Sequence, residues 1–222
     1  MIHVPIPKSV TDVVTDLIRE MIICDELHFG QRIIEDDLKK ILNVSKTPIR
    51  DALLRLSIQE CLIDVRPRIG SFVFSITSTL IEELVRIRVL LENEALRLAI
   101  ENNHSSFVKS LSKNISLQSD MIEKNNFSSY RKLDVSFHRL FLESCGDLTL
   151  RNAYKLIDSR FYAMRNRINF TPEYQFKSIA YHIDIFESIR EKNIEEACRL
   201  NKLHIDVSFT KRAKLLLTNF CD

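Results

Sequence analysis

The sequence predicts a mainly α protein: an N-terminal winged helix-turn-helix followed by an all-α six-helix bundle. Three observations carry this. Only three glycines occur in 222 residues, and β-branched alternation is confined to one short stretch, so signals that stop a helix are scarce. Residues 1–76 show helix, helix, helix and then a hairpin, the order of a winged helix-turn-helix. From residue 79 onward apolar residues recur at helical spacing to the end of the chain.

The elements follow in order. "SVTDVVTDLIREMIIC", residues 9–24, reads as an amphipathic helix with Ser9 as N-cap and with Val10, Val13, Val14, Leu17, Ile18, Met21 and Ile22 on one face. Gly30 turns the chain into a short extended piece. "EDDLKKILN" is a short helix with acids in its first turn and Asn43 at a left-handed exit. Thr47 and Pro48 read as N-cap and first helical position of "PIRDALLRLSIQE". "CLIDVRP" and "GSFVFSI" form a β-hairpin with Gly70 near its tip. A polar link at 77–79 separates this domain, 1–76, from a second at 77–222, whose helices fall at roughly 79–102, 106–124, 128–145, 148–168, 173–191 and 194–218.

Composition narrows the function classes. No apolar run approaches the length needed to span a bilayer, and "MIHVPIPKS" lacks the features of a signal peptide. The five cysteines, Cys24, Cys61, Cys145, Cys198 and Cys221, make an odd number with no CxxC pair, which predicts reduced thiols in a cytoplasmic protein. Net charge is only +2, but it is unevenly spread. Residues 1–37 hold three basic and eight acidic side chains, a net of −5; residues 38–70 hold seven and three, a net of +4. A local basic excess suits one surface that meets phosphate.

In a helix-turn-helix the start of the second helix enters the major groove. Here that start is "SKTPIR". Lys46 and Arg50 reach phosphates or guanine edges, Ser45 and Thr47 donate to phosphate, and Arg66 and Arg68 on the wing reach backbone or minor groove. Solvated charges on a protein-interaction module remain the alternative at this point. "IIEDDLKKILNVSKTPIRDALLRLSIQECLIDVRPRIGSFV" resembles the DNA-binding domain of the GntR family of bacterial transcription regulators. The resemblance implies contacts to a double-stranded operator from Lys46, Thr47, Arg50 and the wing around Arg66. Three departures bear on the operator sequence. Lys46 stands where Arg is usual, Cys61 where glycine is customary, and Asp36 at a position that is basic in some members.

The second domain poses a different question in "LDVSFHRLFLESCG", residues 133–146. Beside an apolar stripe of Leu133, Phe137, Leu140, Phe141 and Ser144, Asp134 and His138 lie four apart on one helix face. His182 and His204, 22 residues apart, stand about equally far before and after a reversal near Lys192–Asn193, so antiparallel helices bring them to similar height. His3, His28 and His104 fall in loops or at termini. Three imidazoles and a carboxylate suit a divalent transition metal such as zinc, nickel or manganese; core histidines satisfied by hydrogen bonds are the alternative.

"DVSFH" followed by the two later histidines resembles the FCD ligand-binding domain that accompanies the GntR module in its FadR-like branch, here closest to the six-helix VanR type. The resemblance implies that Asp134, His138, His182 and His204 hold the ion, that effectors are small organic acids, and that the protein is a homodimer. Arg88 lies on the stripe Ile81, Leu84, Leu91, Ala95 and Leu98. It is either a carboxylate-binding residue for the effector or an intrahelical partner of Glu92. Arg160, Arg165 and Arg167 are weaker effector candidates. The expected function is a ligand-responsive regulator, a repressor in most relatives. A metal-sensing regulator is one alternative. A metal-dependent enzyme, with Glu92 or Glu143 as base, is another.

Overall fold

The computed structural model describes residues 8–168 and 171–218; His3 and Cys221 lie outside them. The chain divides into two compact units, one drawn from Met1–Ile76 and Lys155–Arg167, the other from Thr77–Tyr154 and Ile168–Asp222.

In the first unit, α1 (Val10–Ile23) starts at a capping box: the Ser9 side chain accepts from the Asp12 N–H, and the Asp12 carboxylate accepts from the Ser9 N–H. Val14, Ile18 and Ile22 are buried, but Val10, Val13 and Leu17, expected on the same face, are exposed. The apolar stripe of α1 is wider than the surface that its neighbour, the third helix, covers. After the short strand β1 (Arg32–Ile33), α2 (Glu35–Leu42) ends at Asn43 in the left-handed conformation, φ 52 and ψ 46. Next, α3 spans Lys46–Glu60 with Ser45 at the N-cap, two residues before the expected Thr47–Pro48 start. Pro48 therefore sits in the first turn, where its missing N–H has no intrahelical acceptor to lose.

The wing is β2 (Ile63–Arg66) antiparallel to β3 (Gly70–Val73), with Arg66 opposite Gly70; β1 pairs on the other side of β3, giving the order β1-β3-β2. Gly70 has φ +133, and a Cβ there would stand 3.4 Å from Arg32 Nε, so any side chain would be strained. The C-terminus of α3 is tied down at Glu60. Arg19 donates to it through Nε and Nη2, and the Ser159 hydroxyl donates to it as well. In the same unit Arg167 donates to Asp25 and to the Leu27 carbonyl and lies 3.9 Å over the Phe29 ring, while Asn166 donates to the Ile23 carbonyl.

The second unit begins with α4 (Ser78–Glu123), one 46-residue helical run bent at Asn103, φ −147 and ψ 33. Two helices with a loop at 103–105 were expected; "ENNHSS" contains neither glycine nor proline, so the chain bends there without stopping. His104 is therefore helical, with Nε2 2.9 Å from the Ile189 carbonyl, whereas His28 occupies an exposed turn. The remaining helices are α5 (Phe127–Ser144), α6 (Leu148–Arg167, whose residues from Lys155 belong to the first unit), α7 (Pro172–Arg190), α8 (Ile194–Ile205) and α9 (Lys211–Thr218). A π-helical turn, Asp206–Thr210, interrupts the single helix expected over 194–218. Phe107, Phe137 and Phe141 meet edge to face at the centre of this unit. No helix among the described residues is long and apolar enough to cross a membrane.

Cys61 closes α3 in the left-handed conformation, φ 50 and ψ 29, where a Cβ is disfavoured by roughly 1–2 kcal/mol. Cys61→Gly is expected to raise stability by about 0.5–1 kcal/mol once the greater freedom of glycine in the unfolded chain is subtracted. Chemical denaturation checks this; a destabilised variant would show that the thiol's packing outweighs the backbone strain.

Candidate functional site

The buried face of α5 is centred on Asp134, Phe137, His138 and Phe141, so the carboxylate and imidazole occupy the core itself. The chain reverses at Lys192 (φ 58), and Asn193 caps α8 by accepting from the Glu196 N–H. That reversal brings His182 of α7 beside His204 of α8. His204 Nε2 lies 3.2 Å from His138 Nε2 and 3.1 Å from His182 Nε2. Asp134 Oδ1 lies 3.9 Å from His182 Nε2 and accepts a hydrogen bond from the Ser178 hydroxyl at 2.9 Å. All four side chains are at most 2% exposed.

The far sides of two rings are anchored. His138 Nδ1 is 2.9 Å from Glu92 Oε2, and His182 Nδ1 is 2.8 Å from Gln118 Oε1. The polarity of the second anchor follows from a backbone carbonyl. Asn114 Nδ2 donates to the Leu133 carbonyl, which can only accept; Asn114 Oδ1 then accepts from Gln118 Nε2 at 2.6 Å, leaving Gln118 Oε1 to accept from His182. Both Nδ1 atoms thus carry the proton, and both Nε2 atoms present lone pairs. His204 Nε2–H can satisfy at most one of them. A cation satisfies all three at once. Two imidazoles on one zinc-like ion, with metal–nitrogen bonds of about 2.0–2.1 Å, have nitrogens about 3–3.4 Å apart, and the two separations from His204 fall in that range. The donor set therefore fits a divalent metal on His138, His182 and His204, with Asp134 adjacent.

The electrostatics agree. Burial holds the His204 imidazole well below its usual pKa and so neutral, the form that ligates. Burial opposes ionisation of Glu92, but the Arg88 guanidinium, helped by the hydrogen bond from His138, outweighs it and keeps the carboxyl well below the usual range. Arg88 Nε donates to Glu92 Oε1 at 2.6 Å, and the Tyr154 hydroxyl donates to the same oxygen at 2.8 Å. Of the two roles read for Arg88, the structure displays the pairing with Glu92. Arg160, Arg165 and Arg167 belong to the other unit, where Arg167 engages Asp25 and Phe29.

Asn114, Gln118, Tyr154 and Ser178 were not foreseen. Asn114 and Gln118 had a legible signal, since they continue the apolar spacing of Phe107 and Leu111 along α4 and so place two amides on a buried stripe. Tyr154 and Ser178 had none.

In the first unit Ser45, Thr47 and Arg50 are exposed around the start of α3, with Lys46 half-buried between them. On the wing Arg66 and Arg68 are exposed; Arg66 donates to Asp64 and its guanidinium lies 4.3 Å from the Phe72 ring centroid. Lys46 and Arg50 are each paired with an acid of α2, Asp36 and Glu35.

A winged helix-turn-helix with cations at the head of its second helix, α3, joined to a helical unit with a buried histidine cluster, defines a DNA-binding transcriptional regulator. Residues 10–73 match the family described as bacterial regulatory proteins, gntR family, and residues 83–207 match the FCD domain. The chain belongs to the GntR family of transcription regulators with an FCD domain. It is 28% identical over 182 residues to the HTH-type transcriptional regulator YdhC of Bacillus subtilis (strain 168), covering 81% of this chain and 80% of that one. It is 26% identical over 181 residues to the HTH-type transcriptional repressor RspR of Escherichia coli (strain K12), covering 79% and 77%. The solved structure of E. coli McbR/YncC shares the fold, with a TM-score of 0.79 at 20% identity over 95% of this chain and all of that one (100%). These are regulators and not enzymes. Consistently, Glu92 is committed to Arg88, His138 and Tyr154, and Glu143 is exposed, so neither acid is placed as a general base at the cluster.

Removing Arg88 leaves a buried carboxylate with less compensation. Arg88→Met is expected to cost about 3–5 kcal/mol near neutral pH. Because the folded pKa of Glu92 is depressed, its stabilisation is present above the unfolded value of about 4.3 and is lost as pH falls. The gap between variant and wild type should therefore narrow in acid. Urea titrations near neutrality and near pH 4 check this, and a pH-independent gap would contradict it.

Proposed function

We propose that this regulator is a cytoplasmic, homodimeric repressor that holds a divalent transition metal (zinc, nickel or manganese) on Asp134, His138, His182 and His204 and responds to a small carboxylic acid at that site. Supporting the metal is one observation above all: His204 Nε2 lies 3.1–3.2 Å from the Nε2 atoms of both His182 and His138, while those two rings are held by their Nδ1 atoms. When bound, the ion supplies a fixed positive charge with coordination positions open to a carboxylate. Arg88 adds a second positive charge beside the cluster, and an acidic effector would compete with Glu92 for it. A shift of the bundle helices on effector binding would pass through the link at 77–79 and change operator affinity.

On the DNA side the reading assigns operator contacts to Ser45, Lys46, Thr47 and Arg50 on α3 and to Arg66, Arg68 and Gly70 on the wing. Dimerisation suits a module that reads two half-sites. Repression is favoured by the relative RspR, which is named a repressor. A second reading, in which the metal itself is the signal, is favoured by the engagement of Arg88 with Glu92, which gives the arginine a counter-ion without any effector.

Elemental analysis of purified protein is expected to find about one metal per chain, lost in His138→Ala and in His182→Ala. Gln118→Leu, which removes the acceptor for His182 Nδ1–H, is expected to weaken metal binding about 10–100-fold in a chelator competition while leaving the ligands intact. Unchanged metal content in both histidine variants would overturn the metal reading. Arg50→Ala is expected to cost about 1–3 kcal/mol of operator binding without touching metal content; normal DNA binding by this variant would overturn the recognition-helix assignment.

A further inference from the structure

Both cations at the head of α3 carry internal counter-ions from the first turn of α2. Lys46 Nζ is 2.9 Å from the Asp36 carboxylate, and Arg50 Nε is 3.0 and 2.8 Å from the two oxygens of Glu35. The pairs are solvent-facing: the side chains of Asp36 and Arg50 are 61% and 64% exposed. With Arg32 and Gly70 they wall a concavity of about 520 Å³ on the face that carries the recognition helix.

A phosphate approaching Lys46 or Arg50 meets a carboxylate within about 3 Å of the cation it seeks, a separation far inside the screening length of about 8 Å at physiological salt. It must displace that carboxylate or sit beside it. Either way the counterion-release gain that drives sequence-independent binding is reduced at these two positions. Contacts to base edges repay the loss only where the bases match. There the released cation donates to guanine O6 or N7, and the carboxylate accepts from the cytosine N4 amine.

Building on the recognition-helix reading above, we propose that Asp36 and Glu35 are specificity-determining residues: they act as an anionic screen that suppresses binding of Lys46 and Arg50 to non-operator DNA. The screen lowers overall affinity and raises the ratio of operator to random-sequence binding. Exposed ion pairs contribute little to folding, so their removal changes recognition and leaves the fold intact.

The test uses the full-length protein, a duplex selected by it from a random pool, and a scrambled duplex of the same length, titrated across a range of salt. Asp36→Asn and Glu35→Gln, singly and together, are compared with wild type and with Asp51→Asn, an exposed acid of α3 that belongs to neither pair. In the double variant, scrambled-duplex affinity is expected to rise about 5–20-fold, its salt slope to steepen by about 0.9 for each cation freed, and the selectivity ratio to fall. Asp51→Asn is expected to shift both duplexes alike. An unchanged ratio and slope in the double variant would overturn the screen, as would an effect no different from that of Asp51→Asn. A Lys46→Ala, Arg50→Ala variant separates the two levels. If it loses the selected duplex while the acid variants leave selectivity unchanged, the screen alone fails; if it retains the duplex, the recognition-helix reading fails and the screen with it.

Discussion

A single backbone carbonyl, that of Leu133, sets the direction of the polar chain on which the buried histidine cluster depends. It accepts from Asn114, Asn114 accepts from Gln118, and Gln118 accepts from His182, so the imidazole has its proton on Nδ1 and its lone pair on Nε2. Glu92 imposes the same choice on His138. Burying these polar groups in a helical core is tolerable because each link from the Leu133 carbonyl to His182 Nδ1 has its partner; interrupting it would leave a desolvated amide or imidazole. Phe137 stacks on the His182 ring at 4.0 Å between centroids, and His138 lies parallel to His204, so apolar packing holds the orientation that the hydrogen bonds select. The π-helical turn begins two residues after His204, at a place where such turns often mark function.

The first unit is organised around an acid in the same way, though with a different purpose. Glu60 at the end of α3 is nearly buried and gathers Arg19 from α1 and Ser159 from the segment 155–167. This fixes the far end of the recognition helix. Its near end, by contrast, is held by the solvent-facing pairs with Asp36 and Glu35. Strong, buried interactions thus position α3, and weak, exposed ones surround the cations at its head. That division suits a surface that must exchange one set of charges for another.

Much of this was legible in the sequence because it rests on local rules. The helix order, the hairpin, the Ser9 cap and the Asn43 exit follow from periodicity and cap chemistry. The spacing of His182 and His204 about a reversal placed them level, and the helix period put Asp134 and His138 on one face. What escaped was non-local. Nothing in "ENNHSS" distinguishes a bend from a loop, because the bend is one residue leaving helical angles inside otherwise helix-compatible sequence. The π turn inserts one residue into a helix with no glycine or proline to announce it. Tyr154 and Ser178 reach Glu92 and Asp134 from other helices, a relation no periodicity encodes. The width of the α1 stripe misled for a related reason: composition marks an apolar face, and tertiary contact decides how much of it is covered.

The central claim is that hydrogen bonds at Nδ1 aim bare Nε2 lone pairs of two histidines at one point. Long-range ¹⁵N–¹H correlation of the imidazoles in metal-free protein tests it directly. The account predicts His138 and His182 as neutral Nδ1–H tautomers, each with the ¹⁵N shift of an unprotonated Nε2. Nε2–H tautomers at both rings would contradict it, because the cluster would then present donors where a cation requires acceptors.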